Sequence, residues 1–234
     1  MSRLGTAVRL ARTGTLGATL LRRLKVLVGV DLPVGDRYHD EKAGGYDAER
    51  VESPAWRWED EVVAAHLARV PADLRVLDVP FGTGRFVPHY VRAGCRVVGV
   101  EVSADMLEGA RMAHGEALDG FDLRLGDATA LPLPDDDVDL AICFRFLPGI
   151  VTARQATAAL RELARVTRGE ALILLKHRED DAPRRWQDRW SRLGPRSPRQ
   201  LRALLGATGW EVAEVIGMPG TNRAVYRCRP LPRG

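Results

Sequence analysis

The sequence predicts a doubly wound α/β fold: a Rossmann-like, mostly parallel seven-stranded sheet with an antiparallel last strand and helices on both faces. Three observations predict it. From Pro71 onward, strand-length apolar runs alternate with helix-length segments, the pattern of right-handed βαβ crossovers. The runs are β-branched or Leu-rich and nearly continuous, as strands buried on both faces must be. The last two runs are joined only by the short Pro/Gly turn from Met218 to Thr221. So short a connection cannot carry a parallel crossover, so these two strands must be antiparallel neighbours.

The elements follow in order. From about Thr15 to Val28, Leu16, Leu20, Leu21, Leu24, Leu27 and Val28 recur at helical spacing, with Arg22, Arg23 and Lys25 on other faces. This basic amphipathic helix suits docking onto the domain or a sister subunit, and also peripheral contact with an anionic membrane surface. Residues 35–50 have no sustained period and contain adjacent glycines, so they read as a loop. Ser53-Pro54 is an N-cap followed by proline in the first turn, opening a helix to about Val70. The strands are expected at 74–80, 96–101, 121–127, 138–144 and 171–177, then at 210–217 and 222–228. Helices are expected over Ser103 to His114 and Thr152 to Thr167, the second opened by the capping-box spacing of Thr152 and Gln155. Ser197-Pro198 opens a last helix before the reversed pair.

Composition narrows the function classes. With 45% hydrophobic and 28% charged residues in 234, the chain is ordinary globular material rather than disordered or collagenous. Cys95, Cys143 and Cys228 are far apart and form no CxxC pair, which fits a reducing cytoplasm and supports neither a disulfide framework nor a structural zinc site. No apolar run reaches the roughly 18 residues of a membrane span, and the basic start lacks a signal-type cleavage site. The net charge of +4 is unevenly spread: residues 1–35 carry six basic side chains against Asp31, and 178–234 carry twelve arginines against six acids, leaving the middle acidic. Basic flanks attract anions, although the excess of Arg over Lys is also what a GC-rich genome produces.

In doubly wound sheets, ligands sit outside the carboxyl ends of the strands near the point where strand order reverses. There the sequence reads VLDVPFGTGRF, 76–86. Gly82 and Gly84 allow backbone to approach a ligand, with a helix expected to start near Arg85. The dinucleotide fingerprint is not met, because its third glycine falls on Val87. Glu101 ends the second strand, 17 residues after Gly84, where an acid can accept hydrogen bonds from ribose hydroxyls. Asp127 ends the third run and can take an exocyclic amino group. With Asp78 they make three acids at three consecutive strand ends.

These motifs resemble the class I S-adenosylmethionine-dependent methyltransferases, particularly small single-domain enzymes with a VLDxGCGTG-type first motif. The likeness spans about residues 36–228: VLDVPFGTG matches the first motif, VVGVEVSADML the second, GDATALPLPDDDVDLAICF the third and fourth, and LRELARVTRGEALILL the following helix and fifth strand. It implies a methyltransferase domain over 36–234 behind an extension of residues 1–35, with S-adenosylmethionine as cofactor. By that resemblance, Asp78, Pro80, Phe81, Gly82, Thr83 and Gly84 face the methionine part of the cofactor. Glu101 faces the ribose, Val102 and Met106 the adenine faces, and Asp127 with Ala128 the adenine edge. Phe144 and Arg145 border the methyl group. Pro80 stands where the family has its first glycine and Phe81 where cysteine is common; proline keeps the carbonyl that a ligand ammonium needs.

Methyl transfer from a sulfonium is an in-line displacement with an activated donor, so alignment and exclusion of water supply most of the catalysis. Where the acceptor keeps its proton, His177 at the end of the fifth strand is the candidate base, with Tyr38 and His39 as acceptor-side groups; a solvated or satisfied role for His177 is the competing reading. No magnesium site is indicated, because the fourth strand ends in Cys143-Phe144-Arg145 without a carboxylate. Trp56, Trp58, Trp186 and Trp190 lie outside the sheet-building elements. Trp186 and Trp190 share a helix face in 178–194, either as an acceptor lid or as packing on the sheet edge. The expected function is methylation of a small-molecule acceptor in a biosynthetic pathway. The alternatives are an RNA methyltransferase and a catalytically silent scaffold of the same fold.

Overall fold

The computed structural model describes residues 53–147, 152–177 and 196–232. The expected amphipathic helix of residues 15–28, Tyr38, His39 and the 178–194 segment with Trp186 and Trp190 lie outside the described residues. The elements are α1 (Pro54–Leu67), β1 (Arg75–Asp78), α2 (Val87–Ala93), β2 (Arg96–Glu101), α3 (Ala104–His114), a 3-10 turn (Gly115–Leu118), β3 (Asp122–Leu125), β4 (Val138–Cys143), α4 (Ala153–Val166), β5 (Thr167–Lys176), α5 (Pro198–Ala207), β6 (Trp210–Gly217) and β7 (Arg223–Pro230). Among these, no helix is long and apolar enough to cross a membrane.

The seven strands form one sheet in the order β3-β2-β1-β4-β5-β7-β6. β1 to β5 pair in parallel, while β7 runs antiparallel to both β5 and β6. The reversed strand is therefore the last in sequence but not in space: it inserts between β5 and the edge strand β6. A tight turn dictates that β6 and β7 are neighbours; which of them reaches β5 depends on which carries the apolar faces. β7 is buried at Ala224, Val225, Tyr226 and Cys228, whereas β6 is mostly exposed after Trp210.

Side chains alternate across the sheet into two cores. Ala141 and Cys143 of β4 with Ala171, Ile173 and Leu175 of β5 join Leu160, Leu163, Leu201 and Leu205 of α4 and α5 on one face. Leu140 and Ile142 with Leu172 and Leu174 join Val63, Leu67, Tyr90, Leu107 and Ala110 of α1, α2 and α3 on the other. The helix starts follow the local chemistry. Ser53, Ser103, Thr152 and Ser197 each accept a backbone N–H of the first turn, and Thr152–Gln155 and Ser197–Gln200 close reciprocal capping boxes. α1 stops at Leu67, a few residues short of the expected Val70.

Candidate active site

The strand order reverses between β1 and β4, and a pocket opens at the carboxyl ends of the strands there. The segment 78–83 lines it from β1, Val100 to Val102 from β2, Gly126 to Ala128 from beyond β3, and Phe144 to Phe146 from beyond β4. Trp56, Arg85, Phe86 and Met106 complete the wall. Twelve of the thirteen residues expected to hold the cofactor line this one pocket; Gly84 is the exception. His177 is not among the lining residues. It forms an isolated bridge with Arg196, and its N–H donates to the Asn222 carbonyl at 2.8 Å.

The glycine segment is a turn rather than a helix start. Gly82 and Gly84 sit at φ of 59° and 80°, a region that residues with a Cβ rarely adopt. A Cβ on Gly84 would also stand 2.9 Å from Val87 Cγ2, so the turn depends on glycine twice over. α2 begins only at Val87 and spans seven residues, capped by no side chain, which corrects the expected start near Arg85. Phe81 is buried against Gly99, where an added Cβ would come within 2.6 Å of its ring. The bulky ring is thus accommodated by the missing side chain on β2, and the Phe81 N–H is fixed to the Val100 carbonyl at 2.9 Å.

The three acids differ in state. Asp78 is 2% exposed, and burial, with the neighbouring Glu101 charge, holds its carboxyl well above the usual carboxylate range against smaller opposing contributions from Tyr90 and Arg85. The buried Tyr90 hydroxyl lies near enough to interact with that carboxyl but closes no hydrogen bond of ordinary geometry. Glu101 has structural partners of its own. Its Oε2 accepts from the Gly82 N–H at 2.9 Å, and its Oε1 from the Val102 and Ser103 N–H groups at 2.9 and 3.1 Å. It therefore ties the glycine turn to the end of β2, a structural role that its place at a strand end did not announce. Burial still raises its carboxyl above the ordinary value, the three amides opposing. Asp127 lies two residues beyond β3 rather than on it; its Oδ1 accepts from the Thr129 N–H and hydroxyl at 2.8 and 2.9 Å, which leaves Oδ2 for a ligand.

Across the pocket stands a cluster that sequence reasoning missed. Glu59, in the middle of α1, has no exposed surface. Its Oε2 accepts from Arg145 Nε at 2.6 Å and Arg85 Nη1 at 2.7 Å, and its Oε1 from Arg223 Nη1 at 3.1 Å. Arg85 also donates to the Trp56 carbonyl, and its guanidinium lies 3.7 Å over the Trp56 ring, with that of Arg145 at 4.7 Å. Arg145 takes a left-handed backbone, φ 57°. In sequence, WRWEDE is a charged helical stretch like any other; the partners of Glu59 are 26, 86 and 164 residues away. The only signal was the pair of early tryptophans, of which Trp56 does line the pocket.

The residues present suit an adenosyl-sulfonium ligand. A buried Asp78, its carboxyl pushed above the usual range by burial, gains from an incoming ammonium, Glu101 keeps a lone-pair site beyond its three amides, and Val102 and Met106 offer apolar faces for a base. Fold and site together define the class: this is a class I S-adenosylmethionine-dependent methyltransferase fold, and S-adenosylmethionine is the cofactor of that class. Residues 76–170 match the family model described as Methyltransferase domain. Over 99 residues it is 40% identical to malonyl-[acyl-carrier protein] O-methyltransferase of Yersinia pestis, covering 42% of this chain and 34% of that one. Over 112 residues it is 38% identical to demethylmenaquinone methyltransferase of Renibacterium salmoninarum, covering 48% and 44%. The chain thus spans only about a third to a half of the length of these curated relatives. Among solved structures, the CcbJ methyltransferase of Streptomyces caelestis superposes with a TM-score of 0.64 at 18% identity, covering 83% of this chain and 98% of that one; at that identity the likeness speaks for the fold.

Proposed function

We propose that this protein transfers a methyl group from S-adenosylmethionine to a small-molecule acceptor. The observation that carries the reading is the convergence of Asp78, Glu101 and Asp127, from three consecutive strand ends, on one pocket beside a glycine turn. The cofactor supplies an already activated methyl group. Asp78 would take its ammonium, Glu101 the ribose hydroxyls, and Asp127 with the Ala128 N–H the edge of the base. Val102 and Met106 would sandwich that base, and the Pro80 carbonyl remains available to the amino-acid part. Phe144 and Arg145 would then border the reacting methyl, with Trp56 shielding it from water. The two curated relatives are named for methylating a malonyl-carrier protein and demethylmenaquinone; neither name fixes the acceptor here. His177, which does not line the pocket, would act as a base only for an acceptor that retains its proton.

Thermal melting with S-adenosylmethionine and with S-adenosylhomocysteine tests this. A ligand at 100 times its Kd adds about 2.7 kcal/mol of stability, so a clear rise in Tm is expected with both. No rise with either would overturn the reading in favour of a silent scaffold.

A further inference from the structure

The cluster around Glu59, of which Arg85 and Arg145 line the pocket, holds more positive charge than its described carboxylates neutralise. Arg85, Arg145 and Arg223 all bond the single Glu59 carboxylate. Lys176, register partner of Arg223 across β5 and β7, belongs to the same cluster: burial lowers its ammonium from the usual value first, then Arg223, with Arg145 adding to the repulsion. Among the described residues, the second carboxylate in ion-pair range of these cations is Asp60. It stands 3.7 Å from Arg85 Nε and is shared with His89 at 2.8 Å. Like charges packed this closely repel, and an additional anion would relieve the repulsion.

The surplus has a direction. Arg145 spends only Nε on Glu59; among the described residues its buried Nη2 has no hydrogen-bond partner, and no hydrogen bond is made by Nη1. Arg145 lines the pocket immediately after β4. Nη1 is the donor that this guanidinium can present to the pocket, with the uncommitted Nη2 beside it, and a charge-assisted bond of this kind suits a carboxylate. We propose that the acceptor carries a carboxylate that docks on this edge of Arg145, with Arg85, Arg223 and Lys176 supplying the surrounding field. This rests on the methyltransferase reading above and names the substrate class for it.

Ligand-detected NMR titration of the protein saturated with S-adenosylhomocysteine tests the idea without knowledge of the full acceptor. The probes are matched pairs, benzoate against benzamide and hexanoate against hexanamide, with methyl phosphate as a competing anion class. Each acid is expected to bind at least about tenfold more tightly than its amide. Arg145→Gln is expected to remove most of that preference and Arg145→Lys to keep part of it. A rise in Tm with S-adenosylhomocysteine shows that each variant is folded. Should Arg145→Gln not fold, Lys176→Gln leaves the hydrogen bonds of Glu59 in place and is expected to weaken acid binding two- to threefold with amide binding unchanged. Equal binding of acids and amides, no binding of any acid, or tighter binding of methyl phosphate overturns the proposal while leaving the methyltransferase reading intact. Failure to bind S-adenosylhomocysteine overturns both.

Discussion

Asp78 shows what burying a carboxylate at the proposed cofactor site costs the unliganded protein. Its folded-state carboxyl is raised above the ordinary value of 3.8, chiefly by burial, the reverse of the usual salt-bridged aspartate. Between the ordinary carboxylate range and the raised value, the folded state binds more protons than the unfolded one, so Asp78 favours folding at low pH and that contribution is lost as pH rises. Asp78→Asn is therefore expected to raise the Tm of the apo protein at pH 8 and leave it nearly unchanged at pH 4, while weakening S-adenosylmethionine at least tenfold. Melting curves at the two pH values check the first part and calorimetric titration the second; a lower Tm for the variant at pH 8 would contradict this account. Glu101 should behave differently, because three backbone N–H groups lose their acceptor when it is removed. Glu101→Ala is expected to cost about 1–3 kcal/mol of stability in denaturant unfolding as well as cofactor affinity. The strand-end position of Glu101 suggested only the second effect; the first needs Gly82 folded back over it, which no local pattern reveals.

At the scale of elements, α1 joins the domain through a carboxylate as well as an apolar stripe. Val63 and Leu67 pack on the sheet, and Glu59 binds groups from the β1–α2 turn, the end of β4 and the start of β7. Glu59→Ala would leave Arg145 and Arg223 without their counter-ion and Arg85 with only the more distant Asp60, and breaking a buried pair from one side typically costs about 3–5 kcal/mol. Urea unfolding is expected to show a loss of that size, and an unchanged midpoint would mean that the arginines are held by other groups. The caps are a milder case. Ser197 accepts from the Gln200 N–H at 3.2 Å and is nearly buried, so Ser197→Ala is expected to cost about 1 kcal/mol by the same measurement. Caps of this kind were legible beforehand because donor and acceptor lie three residues apart; the Glu59 cluster was not, because none of its members is near another in sequence.

For the whole molecule, the described pocket begins at Trp56, and the basic N-terminal stretch precedes every residue that lines it. Removing residues 1–30 is expected to leave S-adenosylmethionine affinity within about threefold, measured by titration of the truncated protein; a folded truncation that no longer binds would place this stretch in the site. Much of the architecture was legible in the chain itself. Strand runs, helix caps, the tight Met218–Thr221 turn and the acids at or just beyond the ends of β1, β2 and β3 are written in residues adjacent to one another, where steric and hydrogen-bonding preferences act within a few positions. Tertiary structure alone decided that β7 rather than β6 meets β5, that Phe81 fits because Gly99 has no side chain, and that Glu59 gathers Arg85, Arg145 and Arg223. Those outcomes depend on burial and charge balance between segments far apart in the chain, and such energies exist only once the sheet has brought the segments together.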